Sequence, residues 1–161
     1  MTTYDTEMIM PMAVAISGTR KTGHHELGWF GDLFDQYLTP WATPDAHFYI
    51  GGARGIDSLS LLWLAGNSSS KITIVVPGTL RQQPADARQA IARCRERISL
   101  IVELAAEELR TPAFHDRNRY MVDHAQMVIG FPLGDAAEGS GTWQTITYAA
   151  ERGKPRLIVP I

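Results

Sequence analysis

The segment Lys71–Val76 reads Lys-Ile-Thr-Ile-Val-Val, β-branched at every position after the lysine, and Pro77-Gly78 halts it. A short run of this kind is a strand. It is one of several that alternate with helix-length segments, and this alternation is what most restricts the fold. Met12–Ser17 is an earlier strand run, stopped by Gly18. From His24 to Leu38 the residues Leu27, Phe30, Phe34 and Leu38 recur at near-helical spacing, and Thr39-Pro40 closes the segment. His47–Ile50 predicts a strand ended by Gly51-Gly52. Asp57–Ala65 predicts a helix apolar almost all round, with Gly66 as its stop. After Lys71–Val76 come a polar helix over Pro84–Arg97 and a strand over Ile98–Leu104. A helix from about Asp116 to His124 and a strand over Gln126–Phe131 follow. A helix over Thr142–Arg152, with Gly153 just past its end, and a strand over Leu157–Pro160 complete the chain.

Six strands alternating with about five helices predict a single α/β domain over residues 12–161. The expected architecture is an open, doubly wound, Rossmann-like sheet, mainly parallel, with helices on both faces. Residues 1–11 show no period and are expected to form a mobile arm. At 161 residues there is room for one domain of ordinary size. A hydrophobic fraction of 45% and a charged fraction of 20% exclude disorder, collagen-like repeats and a disulfide scaffold. Cys94 is the only cysteine, so neither an internal disulfide nor a Cys-rich zinc site can form. No apolar run approaches the roughly 20 residues that span a bilayer. A cytoplasmic protein with no membrane partner is the expectation.

In a sheet of this type ligands bind beyond the carboxyl ends of the strands, where the strand order reverses. The segments leaving those ends are Ser17-Gly18-Thr19-Arg20-Lys21, Gly51-Gly52-Ala53-Arg54-Gly55-Ile56-Asp57, Pro77-Gly78-Thr79-Leu80-Arg81, and the stretch that reaches Gly139-Ser140-Gly141-Thr142. His115-Asp116-Arg117-Asn118-Arg119 follows the fourth strand. Glycine and arginine thus gather on one edge, and twelve of the fifteen basic residues are arginine. Glycine lets backbone approach a ligand, helix N-termini offer unpaired N–H groups, and arginine presents a fork suited to phosphate or carboxylate. This is anion-binding chemistry. The bland reading of the same residues is a set of tight strand-to-helix turns, with Asp57 favouring a helix dipole and Thr142 capping a helix. Neither a Walker loop nor a strict GxGxxG follows any strand, so no resident cofactor is expected. His24-His25 lacks partners at metal spacing, and Cys94 lacks a neighbouring base. Trp143, beside the glycine-rich turn, is the tryptophan best placed to meet a base.

The four motifs Ser17-Gly-Thr-Arg20, Gly51-Gly-Ala-Arg-Gly-Ile-Asp57, Arg117-Asn-Arg119 and Gly139-Ser-Gly-Thr142 occur in the order and spacing of the SLOG superfamily. Over about Met12–Ile161 the chain resembles its DprA/YspA-like branch, with the LOG phosphoribohydrolases more distant. The resemblance implies a Rossmann-like homodimer that binds a nucleotide or nucleotide-derived ligand. It also implies the site residues Gly18, Thr19, Arg20, Gly52, Arg54, Gly55, Asp57, Arg117, Asn118, Gly139, Ser140, Gly141 and Thr142. Where the LOG pattern GGxGTxxE carries its glutamate, this chain has Thr145, which argues against phosphoribohydrolase chemistry.

Three functions follow as expectations. The first is a sensor or carrier of a nucleotide-like small molecule. The second is a hydrolase or transferase acting at a glycosidic bond, with Asp57, Asp116 or Glu138 as its carboxylate. The third is a DprA-like single-stranded DNA binder, with charge supplied by Arg20, Arg54, Arg81, Arg117 and Arg119. A net charge of -2 gives such a binder no help from the whole-molecule field.

Overall fold

A computed structural model describes residues 12–134 and 140–161; the expected arm over 1–11 lies outside them. Six strands form one sheet: β1 (Ala13–Gly18), β2 (His47–Gly51), β3 (Lys71–Val76), β4 (Leu100–Glu103), β5 (Met127–Phe131) and β6 (Arg156–Ile158). Every pairing is parallel, in the order β4-β3-β2-β1-β5-β6. The chain moves outward from β1 to β4, then returns to build β5 and β6 on the other side. The order therefore reverses between β1 and β5.

The helices are α1 (Leu27–Tyr37), α2 (Ile56–Asn67), α3 (Ala85–Arg93), α4 (Thr111–His124) and α5 (Gly141–Glu151). Successive side chains of a strand point to opposite faces, and the core divides accordingly. Val14, Ile16, Phe48, Ile50, Ile72, Ile74, Ile129 and Phe131 pack with Phe30 and Phe34 of α1, Ile56, Leu61 and Leu64 of α2, and Ile91 of α3. Ala15, Val75 and Val128 meet Met121 and Val122 of α4 and Ala149 of α5 on the other face. This is the doubly wound architecture that the alternation predicts. Strands buried on both faces account for the nearly unbroken apolar runs.

The element bounds differ from expectation in three informative places. α2 runs through Gly66 to Asn67. It is closed by polar side chains: Asn67 Nδ2 donates to the Trp63 carbonyl (2.9 Å) and Ser68 Oγ to that of Leu64 (2.8 Å). The last carbonyls are thus satisfied without a left-handed glycine. The polar helix ends at Arg93, and residues 95–97 form a separate tight turn. α4 begins five residues before Asp116, because Pro112 lies in its first turn, where a missing N–H costs nothing. Arg117 and Asn118 therefore stand in mid-helix instead of the first turn. Gly153, with φ +69°, ends α5 as its position predicts. Among the described residues, no helix is long and apolar enough to cross a membrane.

Candidate functional site: an arginine-lined crevice at the switch point

A cavity of about 510 Å³ opens at the carboxyl ends of β1 and β5. Its walls come from three places. The β1–α1 loop gives Ser17, Gly18, Thr19, Arg20 and Lys21; α4 gives Phe114, His115, Arg117 and Asn118; the start of α5 gives Ser140, Gly141 and Thr142. Ala53 and Asp57, where β2 leads into α2, complete it. Among the described lining residues, the cations Arg20, Lys21 and Arg117 outnumber a single carboxylate, Asp57, so positive charge is in excess there.

Two glycines bring the loops together. Gly55 has φ +77°, and a Cβ there would lie 2.5 Å from the Thr19 carbonyl oxygen and 2.6 Å from Arg20 Cα. This close approach lets the β1–α1 loop sit on the start of α2, where Ile56 N–H donates to Thr19 O (3.0 Å). Gly51 serves a different purpose. A Cβ there would strike the Arg117 guanidinium and stand 2.6 Å from Asp57 Oδ2. The bare backbone of Gly51 is the seat on which both charged groups rest.

Arg117 is 6% exposed. Its Nε donates to Asn118 Oδ1 at 2.9 Å, and its Nη1 lies 3.5 Å from the Val75 carbonyl. Asn118 Nδ2 in turn reaches Gln144 Oε1 (3.1 Å) and the Gly141 carbonyl (3.4 Å), tying α4 to the start of α5. Asp57 is 7% exposed and accepts one bond from the Ala53 N–H (3.3 Å). Burial pushes its carboxyl up to about 7, against the pull of Arg117, that N–H and Arg20. Burial likewise lowers Arg117, although a guanidinium remains charged throughout the physiological range. The ion pairs among the described residues are Arg110–Glu108, Arg119–Asp116 and Arg152–Asp123, all at the surface. Asp57 and Arg117 are neighbours short of that contact.

Arg20 reaches over the cavity mouth with its Cζ 4.9 Å from the Phe114 ring centroid, a cation–π contact that holds an otherwise exposed side chain in place. At the start of α5, Ser140 is the N-cap, and its Oγ accepts from Trp143 N–H (3.2 Å). The cap is thus Ser140 and not Thr142. The first turn of α5 borders the cavity, a favourable place for negative charge. Thr145 points away: its Oγ1 donates to the Gly141 carbonyl (2.9 Å) and lies 3.4 Å from Ser17 Oγ. The position that carries a glutamate in the LOG pattern is here a fully buried helix hydroxyl.

Of the residues singled out in the sequence, Gly18, Thr19, Arg20, Asp57, Arg117, Asn118, Ser140, Gly141 and Thr142 line the cavity. Gly139, like Glu138, lies outside the described residues. Gly52 packs against Val76 and receives a bond from Gln83 Nε2, while Gly55 and the exposed Arg54 are not among the lining residues. Arg81 is likewise exposed and outside the lining, and Arg119 pairs with Asp116 and lies over Tyr148. Trp143 borders the start of α5 without lining the cavity. Sequence reasoning named Gly51 and His115 only within their segments, without a role, and missed Phe114 altogether. Pro112 as a first-turn proline was the available signal for α4, since it starts the helix early enough to set Phe114, Arg117, Asn118 and Met121 on one face.

A six-stranded parallel sheet that reverses order beside such a crevice defines a Rossmann-like α/β protein. The chain belongs to the family of DNA recombination-mediator protein A, whose family model matches residues 5–161. Among solved structures it is similar in fold to DNA processing protein A from Helicobacter pylori, described for its single-stranded DNA binding mode. The TM-score is 0.69 at 22% identity, over 94% of this chain and 66% of that one. The chain thus spans just under two thirds of that protein's length. No curated protein matches it significantly.

Proposed function

We propose that this chain binds single-stranded DNA, seating a backbone phosphate in the switch-point crevice between the β1–α1 loop and the start of α5. The carrying observation is the excess of positive charge among the described lining residues, with Arg117 buried and Arg20 and Lys21 exposed. Family membership and the single-stranded DNA bound by the Helicobacter pylori protein support the same reading. Phosphates supply most of the affinity in such complexes, and each neutralised phosphate releases counterions. Phe114, under Arg20, adds a ring surface of the kind on which bases stack.

Fluorescence anisotropy with a labelled oligothymidylate tests this. Affinity should fall steeply with salt, and Arg20→Ala should weaken binding by about tenfold, the range for a charged hydrogen bond. It should also reduce the slope of log affinity against log salt by about 0.7, the loss of one phosphate contact on a single strand. Arg156→Ala, an exposed arginine at the start of β6 and so at the opposite edge of the sheet, should match the parent protein. No binding, or equal losses at Arg20 and Arg156, would overturn the assignment.

A second reading has its own support. A cavity of about 510 Å³ lined by Ser17, Asn118 and Thr142 falls within the roughly 300–1,000 Å³ of small-molecule sites, as a nucleotide-like ligand requires. Displacement of the oligonucleotide by micromolar thymidine monophosphate would favour it. The homodimer belongs with these proposals, and sedimentation at several concentrations reads it directly.

A further inference from the structure

Beyond the crevice, the β1–α1 connection carries an aromatic cluster on the protein surface. His25 stacks on Trp29 with ring centroids 3.6 Å apart and planes within 9°. His24 leans on His25 at 4.5 Å, and all three rings contact Phe30, which is 1% exposed and anchors them in the core. Trp29 remains 37% exposed and the neighbouring Leu27 75% exposed. Two large apolar side chains and two imidazoles thus face water within six residues of chain.

The cluster follows the crevice closely along the chain. Lys21 lines the cavity, and His25 follows four residues later, a span of at most about 14 Å. The local charge is unsuited to another phosphate, because Glu26 is exposed at the N-cap of α1 and Asp32 is exposed on the same helix. An uncharged, flat ring meets no such penalty. Every nucleobase offers a π face, and stacking on an aromatic side chain is tolerant of sequence.

We infer that the His25–Trp29 stack is a base-binding platform, which takes a nucleobase of the strand whose phosphate occupies the crevice. The inference rests on the proposed single-stranded DNA binding. It assigns the platform to strand length: a ligand that fills only the crevice leaves it empty, and a longer strand covers it.

The experiment compares thymidine dinucleotide with a fifteen-residue oligothymidylate, by calorimetry and by tryptophan emission. In the parent protein, the long strand should quench part of the emission through Trp29. Trp29→Ala should weaken the fifteen-mer by about tenfold and leave the dinucleotide unchanged. Trp29→Phe, which keeps a ring, should restore most of the affinity. His25→Ala, at an exposed position, should lose affinity for the long strand only, and it guards against misfolding of the tryptophan variants. A fifteen-mer affected by Arg20→Ala but by neither Trp29→Ala nor His25→Ala would overturn the platform while leaving the crevice reading intact. No binding of either strand by the parent protein would overturn both. Unchanged affinity with an altered sedimentation coefficient would overturn the platform and make the cluster a contact between copies of the chain.

Discussion

Gly51→Ala is expected to cut oligonucleotide affinity by at least about tenfold and to lower stability by about 2–3 kcal/mol, from one added methyl group. Gly51 does not have a left-handed backbone, so alanine fits its conformation. The whole effect is spatial. The new Cβ would occupy the place of the Arg117 guanidinium, 2.8 Å from its Cζ and 2.6 Å from Asp57 Oδ2. Neither group can step aside cheaply, because Arg117 is held by Asn118 and Asp57 by the Ala53 N–H. Displacing them leaves buried charge without its partners, which is the costly case. Gly66→Ala, near the far end of α2 and outside the crevice, is the comparison: its Cβ would meet nothing within 4 Å, and oligonucleotide affinity should not change. Thermal melts and anisotropy on the two variants check this. Equal behaviour of the two would show that Arg117 does not depend on its seat.

The second large effect is on pH. Asp57 titrates near 7 in the folded protein, against 3.8 for its ordinary value, chiefly because it is buried. Below about 7 it is neutral and the crevice carries only positive charge. Above that it is an anion facing the incoming phosphate, so affinity should fall as pH rises through about 7. Like-charge repulsion at close range makes a decline of about tenfold reasonable. A phosphodiester keeps one charge throughout, which leaves the protein's groups to set the profile. Arg20, Lys21, Arg117 and His115 share the cavity, and Asp57→Asn removes the aspartate's share alone. That variant should bind more tightly at pH 8 and show a flatter profile, measured between pH 5.5 and 8.5 at fixed ionic strength. A parent profile with no decline would mean that the Asp57 charge does not reach the ligand.

The same group has a stability signature of defined sign. The native state binds a proton that the unfolded chain has released between pH 3.8 and about 7. Its stabilising share is complete below 3.8 and lost as pH rises through about 7.

The sheet was legible because its strands are continuous apolar runs, as at Lys71–Val76, separated by segments with helical spacing. The edge that carries the crevice followed from the rule for switch points and from where Gly18, Arg20 and Asp57 fall. What escaped was set by packing. Gly51 and Gly52 are adjacent in sequence and equally plausible as ligand-facing glycines, yet Gly51 supports two charged side chains and Gly52 abuts Val76 and Gln83. Only the direction of each missing Cβ separates them. Arg117, Arg119 and Arg81 looked alike as well; helix phase buries the first and exposes the second, and Arg81 sits on an exposed turn. A helix started at Pro112 would have recovered that phase for α4.

The burial of Arg117 on Gly51 has an energetic meaning for the whole molecule. Its water is removed during folding, so a ligand that reaches it later meets a charge already stripped and aimed. Binding at the proposed site is thereby financed in advance, out of conformational stability. A shape-matched apolar side chain in this place would avoid the dehydration. Selection for thermostability alone would therefore be drawn to the crevice, and the most heat-resistant descendants of this chain would be those that had forgotten how to bind.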